Sequence, residues 1–149
     1  MRRRVPDAES AIEYASGVLL ALDYGLKRTG VAVSDPTWTI VRPLDVVPKA
    51  NSSEGLATIL RLLESHDVTR VIVGLPIGLD GGETKQTAQS RSFAARIRQV
   101  VEGIPVELHD ERFTSRLADQ TIAATGTGAS RDSLAACHLL ESWMEGQRR

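Results

Sequence analysis

The sequence predicts an α/β domain built on one mixed five-stranded sheet flanked by helices, and three observations carry that prediction. Residues 18–22 (Val-Leu-Leu-Ala-Leu) and 30–33 (Gly-Val-Ala-Val) are apolar runs close enough to pair as a hairpin. A strand, helix, strand order follows between residues 70 and 109. Leu56, Ile59, Leu60 and Leu63 repeat at helical spacing, as do Ala136, Leu139 and Trp143.

Taken in order, 18–22 has no polar face and reads as a central strand buried on both sides, ending at Asp23. A short basic loop with Lys27 and Arg28 leads to the second strand at 30–33. The third, at 39–47, contains Pro43, which cannot donate to a ladder, so it belongs at the sheet edge. Asn51 followed by Glu54 resembles a capping box before the first helix. Residues 70–74 form the fourth strand, and a loop with Gly78, Gly81 and Gly82 opens a second helix carrying Ala88, Ala95, Ile97 and Val101. Residues 105–109 make the fifth strand, joined to the fourth by a right-handed parallel crossover. Thr114 or Ser115 caps a short helix ending near Gly126, and Ser130 caps a last helix reaching 143–145. The order is βββαβαβαα.

A chain of 149 residues supports one core, and we assign 1–17 to a flexible N-terminal extension and 18–149 to a single domain. The 42% apolar and 25% charged content excludes disordered and fibrous classes. A net charge of −1 excludes gripping nucleic acid by bulk phosphate neutralisation, so any such contact is local. The single cysteine, Cys137, forms no internal disulfide, and no apolar run spans a bilayer. We therefore expect a cytoplasmic protein with no membrane contact.

Three acids stand out. Asp23 ends an apolar strand, where α/β sheets gather ligands, although a turn aspartate would look the same. Glu111 follows the fifth strand in His109-Asp110-Glu111-Arg112, and its neighbour Asp110 faces the opposite way, so either could serve. Asp132 lies in the first turn of the last helix, where any carboxylate suits the helix dipole. It also precedes Ala136, Leu139 and Trp143 by four, seven and eleven residues, which directs it inward. Clustered inward carboxylates repel unless a cation holds them, and Mg2+ suits an oxygen-only site shared with phosphate. Two such ions would activate water and stabilise a leaving oxygen in phosphodiester hydrolysis. His66, His109 and His138 lack paired ligand spacing, and no Gly-x-Ser-x-Gly elbow supports a serine triad.

Four segments, LALDYGLKRTGVAVSD, VIVGLPIGLDG, ELHDERFTS and RDSLAACHLLESWM, resemble in order and spacing the YqgF (RuvX) family of ribonuclease H-like nucleases. The resemblance spans residues 18–145. It implies an RNase H-like fold and a Mg2+- or Mn2+-dependent nuclease, with two ions held by Asp23, Glu111 and Asp132. It further implies nucleic-acid contacts from Lys27, Arg28, Arg112, Thr114 and Arg131, and loops shaped by Gly25, Gly30 and the Gly74-Leu75-Pro76 turn. The implied substrate is pre-16S ribosomal RNA at its 5′ end, or a Holliday junction; an ion pair from Arg112 to Asp110 or Glu111 competes with the phosphate role. Two departures from the family pattern are the scarcity of basic residues in 124–130, which leaves Arg131, and Gly78 where relatives carry Asn.

Two other classes compete. Asp23-Tyr24-Gly25 with residues 30–33 also looks like the first phosphate loop of sugar kinases and actin-like ATPases, but that class needs two such domains and 149 residues hold one. A non-catalytic RNA-binding ribosome-assembly module would bind RNA without turnover. Cutting a two-fold junction requires a homodimer, whereas trimming one RNA end is open to a monomer.

Overall fold

The side-chain alternation of the first strand sets the layers of the fold. The computed structural model describes residues 17–113 and 130–148. They form β1 (Val18–Asp23), β2 (Arg28–Ser34), β3 (Val41–Pro48), α1 (Ser53–Ser65), β4 (Val68–Leu75), α2 (Lys85–Val100), β5 (Val106–Asp110), a 3-10 turn (Glu111–Phe113) and α3 (Arg131–Gln147). The sheet order is β3-β2-β1-β4-β5. β1 pairs antiparallel with β2 and β2 with β3, while β1 to β4 and β4 to β5 are parallel. This is the mixed five-stranded sheet expected, with β3 and its Pro43 at the edge.

Leu20 and Leu22 face α1 and α2, packing with Ile59, Phe93 and Ile97. Leu19 and Ala21 face α3, packing with Leu139, Leu140 and Met144. Both faces of β1 are covered, which is why its sequence shows no polar side. By the same alternation Asp23 falls toward α3, while Tyr24 turns to the other layer and stacks on Phe93 at 4.3 Å.

α3 lies directly on β2. A Cβ at Gly30 would collide with the backbone carbonyl of Asp132, so only glycine allows this approach. Beside it the buried Ser133 hydroxyl donates to the Leu44 carbonyl at 2.6 Å and accepts from the Val31 amide at 3.2 Å. One side chain thereby joins α3 to β2 and β3.

Several sequence expectations shift. Ser52, not Asn51, caps α1: its backbone is extended and its hydroxyl accepts from the Gly55 amide, while Asn51 sits in the turn closed from Ser52 to Lys49. β3 starts at Val41 because Thr39 and Ile40 instead donate their amides to Asp35 Oδ1, each at 2.7 Å. α2 buries Thr87, Ser90, Phe93, Ala94 and Ile97, leaving Ala88 and Ala95 exposed; two polar members disguised the stripe. α3 continues to Gln147, beyond the expected 143–145. The short helix expected from Thr114 or Ser115 to Gly126 lies outside the described residues, as do residues 1–16 of the extension. Gly17 donates its amide to the Pro36 carbonyl and accepts from the Trp38 indole. Among the described residues, no helix is long and apolar enough to cross a membrane.

Candidate active site

The end of β1, the turn after β5 and the start of α3 meet at one end of the sheet. Gly74, on β4, makes room there. A Cβ on it would collide with the Glu111 carboxyl and crowd Leu139, so the missing side chain seats Glu111 over the sheet. β4 pairs with β5 as far as Leu75 opposite Asp110, and the 3-10 turn then swings Glu111 back across the sheet end.

The Glu111 and Asp23 carboxyls are joined by a side-chain hydrogen bond. Burial raises the Glu111 carboxyl well above its ordinary range, and the hydrogen bond and charge of Asp23 raise it further. Burial also raises Asp23, opposed by the hydrogen bond from Glu111 and reinforced by the nearby Asp132 charge. Protonated Glu111 therefore donates to the Asp23 carboxylate.

Asp132 is near enough for its charge to act on Asp23, but its carboxylate is paired elsewhere. Its side chain is 39% exposed, and Arg28 Nε lies 3.1 Å from its Oδ2. The reason is positional: the first turn of α3 stands at the sheet end, where the carboxylate meets the first residue of β2. Asp110, the alternative to Glu111, turns away and binds Arg112, whose Nε and Nη2 lie 3.0 and 2.7 Å from Oδ2. That pairing holds the Asp110 carboxyl below its usual range.

A cleft of about 340 Å³ opens over the pair, lined in part by Asp23, Glu111, Lys27, Pro76, Gln86 and Ser90. Lys27 thus reaches the cleft, Arg28 serves Asp132, Arg112 serves Asp110, and Arg131 is exposed at the first position of α3. Thr114 lies outside the described residues. The sequence reading missed the α2 wall of this cleft, whose only signal was the polar pair of the buried stripe, Thr87 and Ser90.

The donor set is carboxylate oxygen alone, which matches a hard divalent ion such as Mg2+ or Mn2+. Among the described residues no three His, Cys, Asp or Glu side chains already form a metal cage. A cation held between Asp23 and Glu111 would relieve their repulsion and favour the deprotonated form of Glu111. Cys137 takes no part: it is buried in the α3 layer, and burial pushes its thiol up to about 12.

Comparison with known proteins identifies the family and the fold. The family model described as RuvX, Holliday junction resolvase, matches residues 17–146. A protein of Rhodopirellula baltica named "Putative pre-16S rRNA nuclease" is 38% identical over 139 residues, covering 90% of this chain and 80% of that protein. One of the same name from Chromobacterium violaceum is 39% identical, covering 85% of this chain and 96% of its own length. Among solved structures, Thermus thermophilus RuvC in complex with a Holliday junction substrate superposes with a TM-score of 0.63 at 16% identity, covering 89% of this chain and 96% of that one. The fowlpox virus resolvase with Holliday junction DNA gives 0.54 at 14% identity, covering 89% and 99%. At such identities these structures speak for the ribonuclease H-like fold alone.

Proposed function

Because this chain belongs to the RuvX family, we propose that it is a divalent-ion-dependent nuclease that hydrolyses phosphodiester bonds at the 5′ end of pre-16S ribosomal RNA. The observation that carries the reading is the hydrogen-bonded Asp23 and Glu111 pair at the foot of an open cleft. The names carried by relatives at 38 and 39% identity favour RNA over other nucleic acids.

Asp23 and Glu111 would hold the ion, with Asp132 joining them on release from Arg28. When bound, Mg2+ or Mn2+ supplies a lowered water pKa and charge neutralisation at the scissile phosphate, and a pair of ions supplies both at once. The protein's own parts have distinct tasks. Glu111 would hold the ion in its deprotonated form, giving up its proton to do so. Lys27 contributes positive charge to the cleft, and Gly74 fixes where the Glu111 carboxyl stands. Freed from Asp132, Arg28 would meet a backbone phosphate. Arg131 is an exposed cation one residue before Asp132, and we assign it and Thr114 to the nucleic-acid path, with Arg112 held in readiness by Asp110. We further assign the catalytic unit to 18–149, with 1–17 as an extension, working in the cytoplasm.

The second reading, Holliday junction resolution, is favoured by the description of the matching family. It requires two symmetric sites and hence a dimer, whereas RNA trimming does not. Labelled pre-16S 5′-leader RNA and a four-way DNA junction, incubated with Mg2+ or Mn2+ and wild type or Asp23→Asn, separate the cases. RNA cut by wild type alone supports rRNA maturation, and junction cut by wild type alone supports resolution. No ion-dependent cutting of either would overturn the nuclease reading in favour of a binding module.

A further inference from the structure

The cleft has a wall that the hydrolytic chemistry does not use. α2 presents Gln86, Gln89 and Ser90 to it, at the spacing that places residues on one helix face. None of the three side chains makes a hydrogen bond among the described residues. Ser90 is the informative one, because only 2% of it is exposed. Among the described residues no fully buried side-chain oxygen or nitrogen lacks a partner, so the Ser90 hydroxyl must reach the cleft. It is a recessed polar group aimed at a cavity.

This wall is held firmly. Thr87, fully buried between Gln86 and Gln89, donates its hydroxyl to the Pro76 carbonyl. It also accepts from the Thr84 amide at 2.9 Å, while its own amide donates to the Thr84 hydroxyl at 3.3 Å. The first turn of α2 is thereby tied to the chain leaving β4, a few residues from the seat of Glu111.

The chemistry of the wall selects its ligand. A serine hydroxyl and a glutamine amide each donate and accept, and neither is charged. A phosphate oxygen only accepts, so it would leave their acceptor atoms unused, and Lys27 offers it a cation elsewhere in the same cleft. The flat edge of a base needs an open surface, whereas a hydroxyl this recessed is met by a small projecting group. A ribose 2′-hydroxyl is such a group, both donor and acceptor, and it distinguishes RNA from DNA. We propose that Ser90, with Gln89 beside it, hydrogen-bonds the ribose 2′-hydroxyl of a nucleotide adjoining the cleaved phosphate and so makes the enzyme prefer RNA. The inference rests on the RNA-cleaving reading. A deoxynucleotide in this position leaves the recessed hydroxyl unpaired, a loss that discriminates more strongly than a missing apolar contact.

The test pairs protein and substrate changes. Wild type, Ser90→Ala and Gln89→Leu cut a labelled all-RNA leader oligonucleotide and versions carrying one 2′-deoxynucleotide at successive positions around the cut. Wild type should lose about tenfold in kcat/KM at one position beside the cut. Ser90→Ala should lose a similar factor on all-RNA and nothing more on that deoxy substrate, because both changes delete the same bond. Gln89→Leu should show a smaller loss with the same non-additivity. Thermal unfolding confirms that the variants are folded. If Ser90→Ala keeps the wild-type ratio between ribo and deoxy substrates, the inference is wrong while the nuclease reading stands. If wild type cuts no RNA, both fall together.

Discussion

The guanidinium of Arg28, the first residue of β2, holds the carboxylate of Asp132, in the first turn of α3, at 3.1 Å. The pair joins residues 104 apart in sequence across the end of the sheet. It is substantially exposed on both sides, so its direct contribution to stability is small. Its consequence lies in the proposed site, where Arg28 would compete with a divalent ion for Asp132. Replacing Arg28 with Met should lower the magnesium concentration for half-maximal cleavage about two- to threefold, the scale of an exposed ion pair. It should also weaken RNA binding at low salt. A magnesium titration of cleavage rates checks the first, and an unchanged or higher requirement would contradict it.

Asp110 and Glu111 are adjacent acids with different surroundings, one bound to Arg112 and the other to Asp23. Glu111→Gln should reduce cleavage by more than about a hundredfold, beyond what supporting residues usually contribute. Asp110→Asn should cost less than about tenfold, through a loosened Arg112. Single-turnover rates on the same RNA compare them, and equal losses would show that the assignment of roles is mistaken.

These neighbours also show what the sequence could tell. Asp23 was legible because it ends a run with no polar face, and Ser130 because a cap before an apolar stripe has few other meanings. The choice between Asp110 and Glu111 was not legible. It depends on a 3-10 turn that breaks strand alternation and on the absent side chain of Gly74 across the sheet. The pairing of Asp132 with Arg28 was not legible because helix periodicity locates a face but not the sheet end above it. The α2 wall was hidden because Thr87 and Ser90 are polar yet buried. Ser133 escaped for the same reason: its partners, Val31 and Leu44, lie 102 and 89 residues away along the chain, and no local pattern marks them.

Ser133→Ala should destabilise the protein by about 1–3 kcal/mol, since it strips a buried amide and carbonyl of their shared partner. Urea denaturation measures this. A change smaller than that of an ordinary surface substitution, about 0.5 kcal/mol, would show that the bridge between α3 and the hairpin is dispensable.

The pH dependence of stability has a definite sign. Glu111 is raised in the folded state above its ordinary value of 4.5, so the folded protein binds protons more tightly than the unfolded one. The stability due to the Glu111 proton is present at acid pH and is lost as pH rises through the Glu111 titration in the folded protein, toward about 8. Ion-free protein should therefore lose Tm between about pH 5 and pH 8. Added Mg2+ should raise Tm most at the upper end, and Glu111→Gln should flatten the profile. Differential scanning calorimetry across this range checks each statement.

The claim at the centre of this account is that Asp23 and Glu111 exchange the Glu111 proton for a divalent ion. Titration calorimetry with Mn2+ near neutral pH, repeated in buffers of different ionisation enthalpy, counts protons released as the ion binds. The account predicts up to about one proton released per ion by wild type, and weakened binding without that release by Glu111→Gln. Unaltered Mn2+ affinity and proton release in Glu111→Gln would contradict it.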